Sequence, residues 1–202
     1  MNHGNDPQRL FMTEEEYLAF DRASETKHEY WDGEVVAMAG GTKNHNRLSL
    51  NIVTALSQQI GPDDPCRVYG MDMRVRVSKK KYVYPDIVVS CDDSDHDGES
   101  DILHSPHLIV EVLSPSTERD DRGKKLLWYQ AKPTLLEYVL VNYRIRWVEL
   151  YRRPDKSGGA WLYLTYGPGQ VIELESLDAR IPVDTLYARL RIPTPAIREE
   201  EE

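Results

Sequence analysis

Two acids stand where the surrounding residues call for a dry environment. Asp86 follows Pro85 in YVYPDIVVS (82–90), and Glu111 lies inside HLIVEVLSPS (107–116). Their neighbours are branched and apolar, as in strands buried on both faces. An ionised carboxylate there is costly unless a cation or good donors compensate. One such acid could be neutralised by an arginine, but two on strands adjacent in sequence suggest a shared purpose. Pro85 removes a ladder donor and marks an irregularity that re-aims the next side chain. If the strands pair, the two carboxylates converge, and they repel unless a proton or hard cation lies between them. Oxygen ligation without His or Cys nearby in sequence favours Mg²⁺ or Mn²⁺ over zinc.

The segment STERDDRGKKLLWYQAK, ended by Pro133, reads as a helix. Asp121, Lys125 and Tyr129 are spaced i, i+4, i+8 and share one face, bordered by Leu126, Leu127 and Trp128. That face is either solvated or delivers Lys125 to water and phosphate at the carboxylates. Lys124 is its competitor, about 100° around the helix.

Other elements must hold these groups. Thr13 and Glu16 form a capping-box pattern opening TEEEYLAFDRA. Asp32-Gly33 between KHEYW and EVVAMAG signals a two-residue hairpin. NHNRLSLNIVTALSQQIG carries Leu48, Ile52, Val53, Leu56 and Ile60 at helical spacing. RVYGMDMRVRVS alternates as one strand, with Met71, Met73, Val75 and Val77 on one side and Asp72, Arg74 and Arg76 on the other. LEYVLVN, RWVELYRR, AWLYLTY and QVIELES read as further strands, the middle pair joined by a Gly158-Gly159 turn. The expected fold class is α/β, a central mixed β-sheet flanked by helices on both faces, with additional hairpins.

The chain has 202 residues, 40% apolar and 29% charged, with a formal charge of −9. One domain is expected over 13–192, after a disordered 1–12 and before an acidic tail, 193–202. The charge opposes a broad, non-specific grip on nucleic acid, though not a local basic groove. No apolar run reaches the roughly 18 residues of a membrane span, and MNHGNDPQRL has no signal core. A cytoplasmic protein is the expectation, with Cys66 and Cys91 as separate small residues in a reducing compartment.

Several patterns admit two readings. Glu29 and Glu34 straddle the hairpin turn as surface glutamates or as partners for metal or Lys125. His45 opens a helix or assists a carboxylate. Arg74, Arg76 and Lys79–Lys81 form a solvated hairpin tip or rest on phosphates. DDSDHDGESDILH approaches a calcium loop, but His104 stands where a bidentate Glu belongs. Ser114 and Ser116 turn the chain and cap a helix, lacking the surroundings of a hydrolase nucleophile. Core packing explains the tyrosines and tryptophans before base stacking does.

PD at 85–86, EVLSPST at 111–117 and D-x-x-x-K-x-x-x-Y at 121–129 follow a DGE hairpin at 32–34 and His45. In this order they resemble the Uma2 family of the PD-(D/E)XK nuclease superfamily, from about Thr13 to Leu190. The resemblance implies a restriction endonuclease-like fold and metal-dependent hydrolysis of DNA phosphodiesters. It implies Asp86, Glu111 and the Val112 carbonyl as ligands of Mg²⁺ or Mn²⁺. Leu113 stands where the superfamily pattern has its lysine, so that role is expected to move to Lys125, oriented by Asp121 and Tyr129. A homodimer is expected through the strand-rich C-terminal region. A turnover-deficient DNA- or partner-binding module and a phosphohydrolase of small substrates are the alternatives.

Overall fold

The computed structural model describes residues 10–154 and 159–195. The Gly158 turn position and the tail from residue 196 lie outside them. Local signals set the first elements. Helix α1 (Glu14–Ala23) opens on a capping box, the Thr13 amide donating to Glu16 Oε2 at 2.8 Å and the Glu16 amide to Thr13 Oγ1 at 3.3 Å. Strands β2 (His28–Trp31) and β3 (Glu34–Ala37) close through Asp32 and Gly33, at φ 53° and 104°, as a twisted two-residue hairpin requires. Strand β1 (Leu10–Phe11) pairs with β3, so strand pairing extends ahead of Thr13. Thr42 caps α2 (Lys43–Gln59), which buries Leu48, Ile52, Ala55 and Leu56 at helical spacing.

The stretch RVYGMDMRVRVS is two strands rather than one. Strand β4 (Arg67–Tyr69) and β5 (Arg74–Ser78) enter different sheets. β5 pairs with β6 (Lys81–Val83), and both Arg74 and Val75 are buried, which breaks the expected alternation. Strands β7 (Ile87–Ser90), β8 (Ile102–Leu103), β9 (Pro106–Val112), β10 (Glu137–Val141), β11 (Val148–Arg152) and β12 (Leu162–Tyr166) follow. One mixed sheet runs β12-β11-β10-β9-β7-β4, with β9 and β10 parallel; the other runs β1-β3-β2-β6-β5-β8.

One face of the β9 sheet packs Leu108, Val110, Val139 and Val141 against α2, the hairpin β13 (Val171–Leu174) with β14 (Ala179–Pro182), and α4 (Val183–Leu186). The opposite face packs Val88, Ile109, Tyr138 and Leu140 against Val75, Val83 and Leu103 of the second sheet, and against Tyr129. Period-two alternation on β9 therefore feeds two cores. Tyr17, Tyr30 and Tyr82 form a third cluster under α1, so these aromatics serve packing. Among the described residues no helix is long and apolar enough to cross a membrane.

Cys66 and Cys91 correct the sequence reading. Antiparallel pairing of β4 with β7 sets Arg67 opposite Ser90, and the two cysteines just beyond are joined as a disulfide. The inference from reduced thiols to a reducing compartment loses its basis.

Candidate active site

Strand pairing brings the two acids together. β7 and β9 are antiparallel with Ile87 opposite Val110, so Asp86 and Glu111 meet at the end of the ladder. The Asp86 amide donates to Glu111 Oε2 at 3.3 Å, and the Val112 amide donates to Asp86 Oδ2 at 2.8 Å. Pro85, just outside β7, ends regular pairing and frees Asp86 to turn back on Val112. Glu111 shares the parity of Ile109, which aims it at the second core, and it is 4% exposed.

The helix above it, α3 (residues 118–130), is not uniform as the sequence suggests. Turns Glu118–Asp120 and Leu126–Gln130 flank a π segment, Asp121–Lys125. Such widened turns concentrate at functional sites. Lys125 Nζ lies 3.0 Å from Glu29 Oε1, 3.3 Å from Asp121 Oδ1 and 3.4 Å from Glu111 Oε1. An ammonium has three N–H donors, and three carboxylates face them. Tyr129 donates to Glu111 Oε1 at 3.1 Å, so its hydroxyl serves the glutamate rather than the lysine. Lys124 turns outward to Asp120 at 3.1 Å, leaving Lys125 as the inward lysine.

Burial dominates the electrostatics. It raises the Glu111 carboxyl well above its usual range; Lys125 opposes that rise, while Asp121, Asp86 and Glu29 add to it. Burial also raises Asp121, against the pull of Lys125. At Lys125 burial disfavours the charge, but Glu111, Glu29 and Asp121 outweigh it and hold the ammonium protonated. Burial raises Tyr129 as well, so it stays a phenol donor.

Glu29 reaches this centre from the other sheet, and its Oε1 also accepts from the Tyr84 amide at 3.1 Å. His45, delivered at the N-terminus of α2, places Nε2 3.2 Å from Asp86 Oδ2. Burial lowers the basicity of that imidazole, yet Asp86 and the Val112 carbonyl together raise its pKa above the ordinary value. Among the described residues His45 Nδ1 is buried without a hydrogen-bond partner, and a Cβ on Gly41 would sit 3.1 Å from it. The centre opens into a cleft of about 440 Å³ whose lining includes Lys27, Gly40, Thr42, Tyr84, Ser116 and Tyr143.

The sequence reading missed Tyr84 and Tyr138. Tyr84 precedes the PD pair and braces Glu29, while the Tyr138 hydroxyl donates to the Asp121 carbonyl at 3.1 Å. Both act through contacts between elements, for which neighbouring residues carry no signal.

Other candidates resolve differently. Arg74 is buried and bound to Asp21 at 2.8 Å and Asp101 at 3.0 Å, and Arg76 is paired with Glu14 at 2.6 Å. Arg74 is thus neither part of a solvated hairpin tip nor open to phosphate, and the pairs with Asp21 and Glu14 tie α1 to the second sheet. Asp95 accepts from Ser90 Oγ and from the amides of His104 and Ser105, which makes it a loop organiser. Ser114 Oγ accepts from the Thr117 amide at 3.2 Å, turning the chain into α3.

Among the described residues no group of three or more His, Cys, Asp or Glu side chains is arranged to hold a metal ion. A magnesium-like cation needs fewer, since it keeps waters and takes one or two carboxylates. Asp86, Glu111 and the Val112 carbonyl offer such an oxygen set. The described residues also place the carboxyl groups of Glu29, Asp86, Glu111 and Asp121 around one ammonium and one imidazole. A divalent cation would relieve that imbalance, so the residues fit the group.

Two mixed sheets, with paired acids where β7 and β9 part, define a nuclease-like α/β domain of the restriction endonuclease type. The chain belongs to the Uma2 family, described as "Putative restriction endonuclease", which matches residues 14–184. It is 37% identical over 180 residues to the uncharacterized protein slr1290 of Synechocystis sp., covering 89% of this chain and 93% of that one. It is 33% identical over 166 residues to sll1609 of the same organism, covering 81% and 92%. Among solved structures it is similar to a "putative nuclease belonging to DUF820" from Anabaena variabilis. That match has a TM-score of 0.73 at 18% identity, covering 87% of this chain and 97% of the other.

Proposed function

We propose that the chain is a divalent-metal-dependent endonuclease that hydrolyses DNA phosphodiesters. The observation that carries this reading is the meeting of Asp86 and Glu111 beside an inward lysine. Asp86, Glu111 and the Val112 carbonyl would hold Mg²⁺ or Mn²⁺. When bound, the ion would polarise the phosphate and lower the pKa of a water. Val112 N–H and His45 keep Asp86 oriented, and Tyr129 does the same for Glu111. Lys125 would steady charge developing on the phosphate, with Asp121 and Glu29 positioning it. A nuclease acting on both strands of a duplex often uses two sites, which favours a homodimer; the sheet edge at β12, with Tyr163 55% exposed, is a surface available for it.

A second reading has its own support. Because three carboxylates already face the Lys125 donors, assisting a reaction requires one contact to be given up. A chain that never gives it up would be a DNA- or partner-binding module. Incubation with supercoiled plasmid, single-stranded DNA and nucleotides, each with Mg²⁺, Mn²⁺ or EDTA, separates these readings and the small-substrate alternative. Metal-dependent nicking that vanishes in folded Asp86→Ala and Glu111→Ala is the expected result. Equal cutting by those variants overturns the assignment.

A further inference from the structure

A second cavity of about 130 Å³ adjoins the cleft, and its walls include Glu29, Trp31, Met38, Thr117 and Lys125. Met38, Thr117 and Lys125 also line the cleft, so both spaces open onto the same lysine. Trp31 is unlike the tyrosines that fill the core. Its indole Nε1 is buried, with no acceptor among the described residues. Lys124 Nζ stands 3.5 Å from the Trp31 ring centroid, Trp31 meets Trp128 edge-on at 5.6 Å, and Lys81 Nζ lies 5.3 Å from the Trp128 centroid.

The contacts thus run lysine, indole, indole, lysine beside the centre. Alternating cations and aromatic faces are what an unpaired nucleic-acid strand uses, its bases on the rings and its phosphates on the ammonium groups. Lys124 and its partner Asp120 are 39% and 33% exposed; Lys81 is 18% exposed, with its partner Asp32 at 56%. Solvent-accessible pairs hold weakly, so a phosphate can compete for Lys124.

We propose that the Trp31 cavity is a base-binding subsite, taking one unpaired nucleobase of the strand whose phosphate enters the cleft. This rests on the nuclease reading and deepens it by naming the substrate class: a strand with an unstacked nucleotide, single-stranded or flipped out of a duplex. A paired, stacked base has no free face to offer, and a space of this size suits one ring system. Lys124, outward-facing and unused at the carboxylates, acquires a role at the neighbouring phosphate.

Tryptophan fluorescence, titrated in EDTA with short oligothymidylate or with a hairpin duplex, tests this on the full chain. The oligothymidylate should quench emission and bind at least about tenfold more tightly than the duplex. Trp31→Ala should weaken that binding by about tenfold or more and Lys124→Ala by a smaller factor, while Trp161→Phe, away from the cavity, should bind as wild type. Should Trp31→Ala fail to fold, Trp31→Phe and Lys124→Ala decide. Equal affinity for duplex and oligothymidylate, or wild-type binding by the folded variants, overturns the subsite. Mg²⁺-dependent plasmid nicking is scored separately. Nicking without a Trp31-dependent preference sinks the subsite alone, and Trp31-dependent binding without nicking under either metal sinks the nuclease reading alone.

Discussion

Replacing Lys125 with methionine tests whether this lysine is the counter-ion of the centre. Methionine nearly preserves the volume and removes the charge. Lys125 is 4% exposed, and its three carboxylate partners lie within 3.0–3.4 Å. Of these, Glu29 and Glu111 are each 4% exposed and Asp121 1%, so water cannot take over the role of the ammonium. Breaking a buried ion pair by deleting one partner costs about 3–5 kcal/mol, because a buried charge is left uncompensated. For a chain of this size each kcal/mol moves the melting temperature by about 2–4 °C, so a drop of roughly 6–20 °C is expected. Calorimetry or circular dichroism in metal-free buffer measures it. The triple variant adding Glu29→Gln and Glu111→Gln should recover part of the loss, since it removes two of the three orphaned charges along with their partner. If Lys125→Met melts within about 2 °C of wild type, the three carboxylates do not depend on Lys125 and its proposed place in the site is wrong.

Further outcomes can be stated briefly. Calorimetric titration with Mn²⁺ should show binding to wild type that Asp86→Ala and Glu111→Ala lose; undiminished binding in both would exclude these acids as ligands. Reducing Cys66–Cys91 removes a cross-link across a sequence separation of 25 and should lower stability by about 3 kcal/mol, read as a change in urea midpoint with and without reductant. Gly41→Ala would put a methyl 3.1 Å from His45 Nδ1 and press on the ring that contacts Asp86; nicking should fall severalfold with little change in melting, and unchanged nicking would show that the ring accommodates the methyl without loss. The Arg22 hydrogen bond holds Asp101 below its usual carboxylate range, burial opposing and Arg74 assisting. A depressed folded pKa stabilises above the unfolded value of about 3.9 and loses that stability as pH falls through the folded one. Asp101→Asn should therefore flatten the acid limb of a stability–pH curve below about pH 4; an unchanged slope would count against the pairing.

Much of this chain is legible from neighbouring residues. The Thr13–Glu16 box, the Asp32-Gly33 turn, the buried stripe of α2 and the acids within apolar runs all depend on groups a few positions apart. Backbone sterics and hydrogen-bond geometry decide such features locally, so the sequence alone determined them, along with the order of elements that places the chain in its family. Tertiary structure decided which distant groups meet. Glu29 reaches Lys125 only because β2 belongs to a sheet packed on the face where Glu111 points, and Tyr84 braces Glu29 for the same reason. The disulfide follows from the pairing of β4 with β7, and the burial of Arg74 from Asp21 and Asp101 closing around it. These are long-range contacts whose energies depend on burial and on partners contributed by other strands. A period of two or 3.6 tells a residue which way to face, and only the assembled sheets supply what it faces.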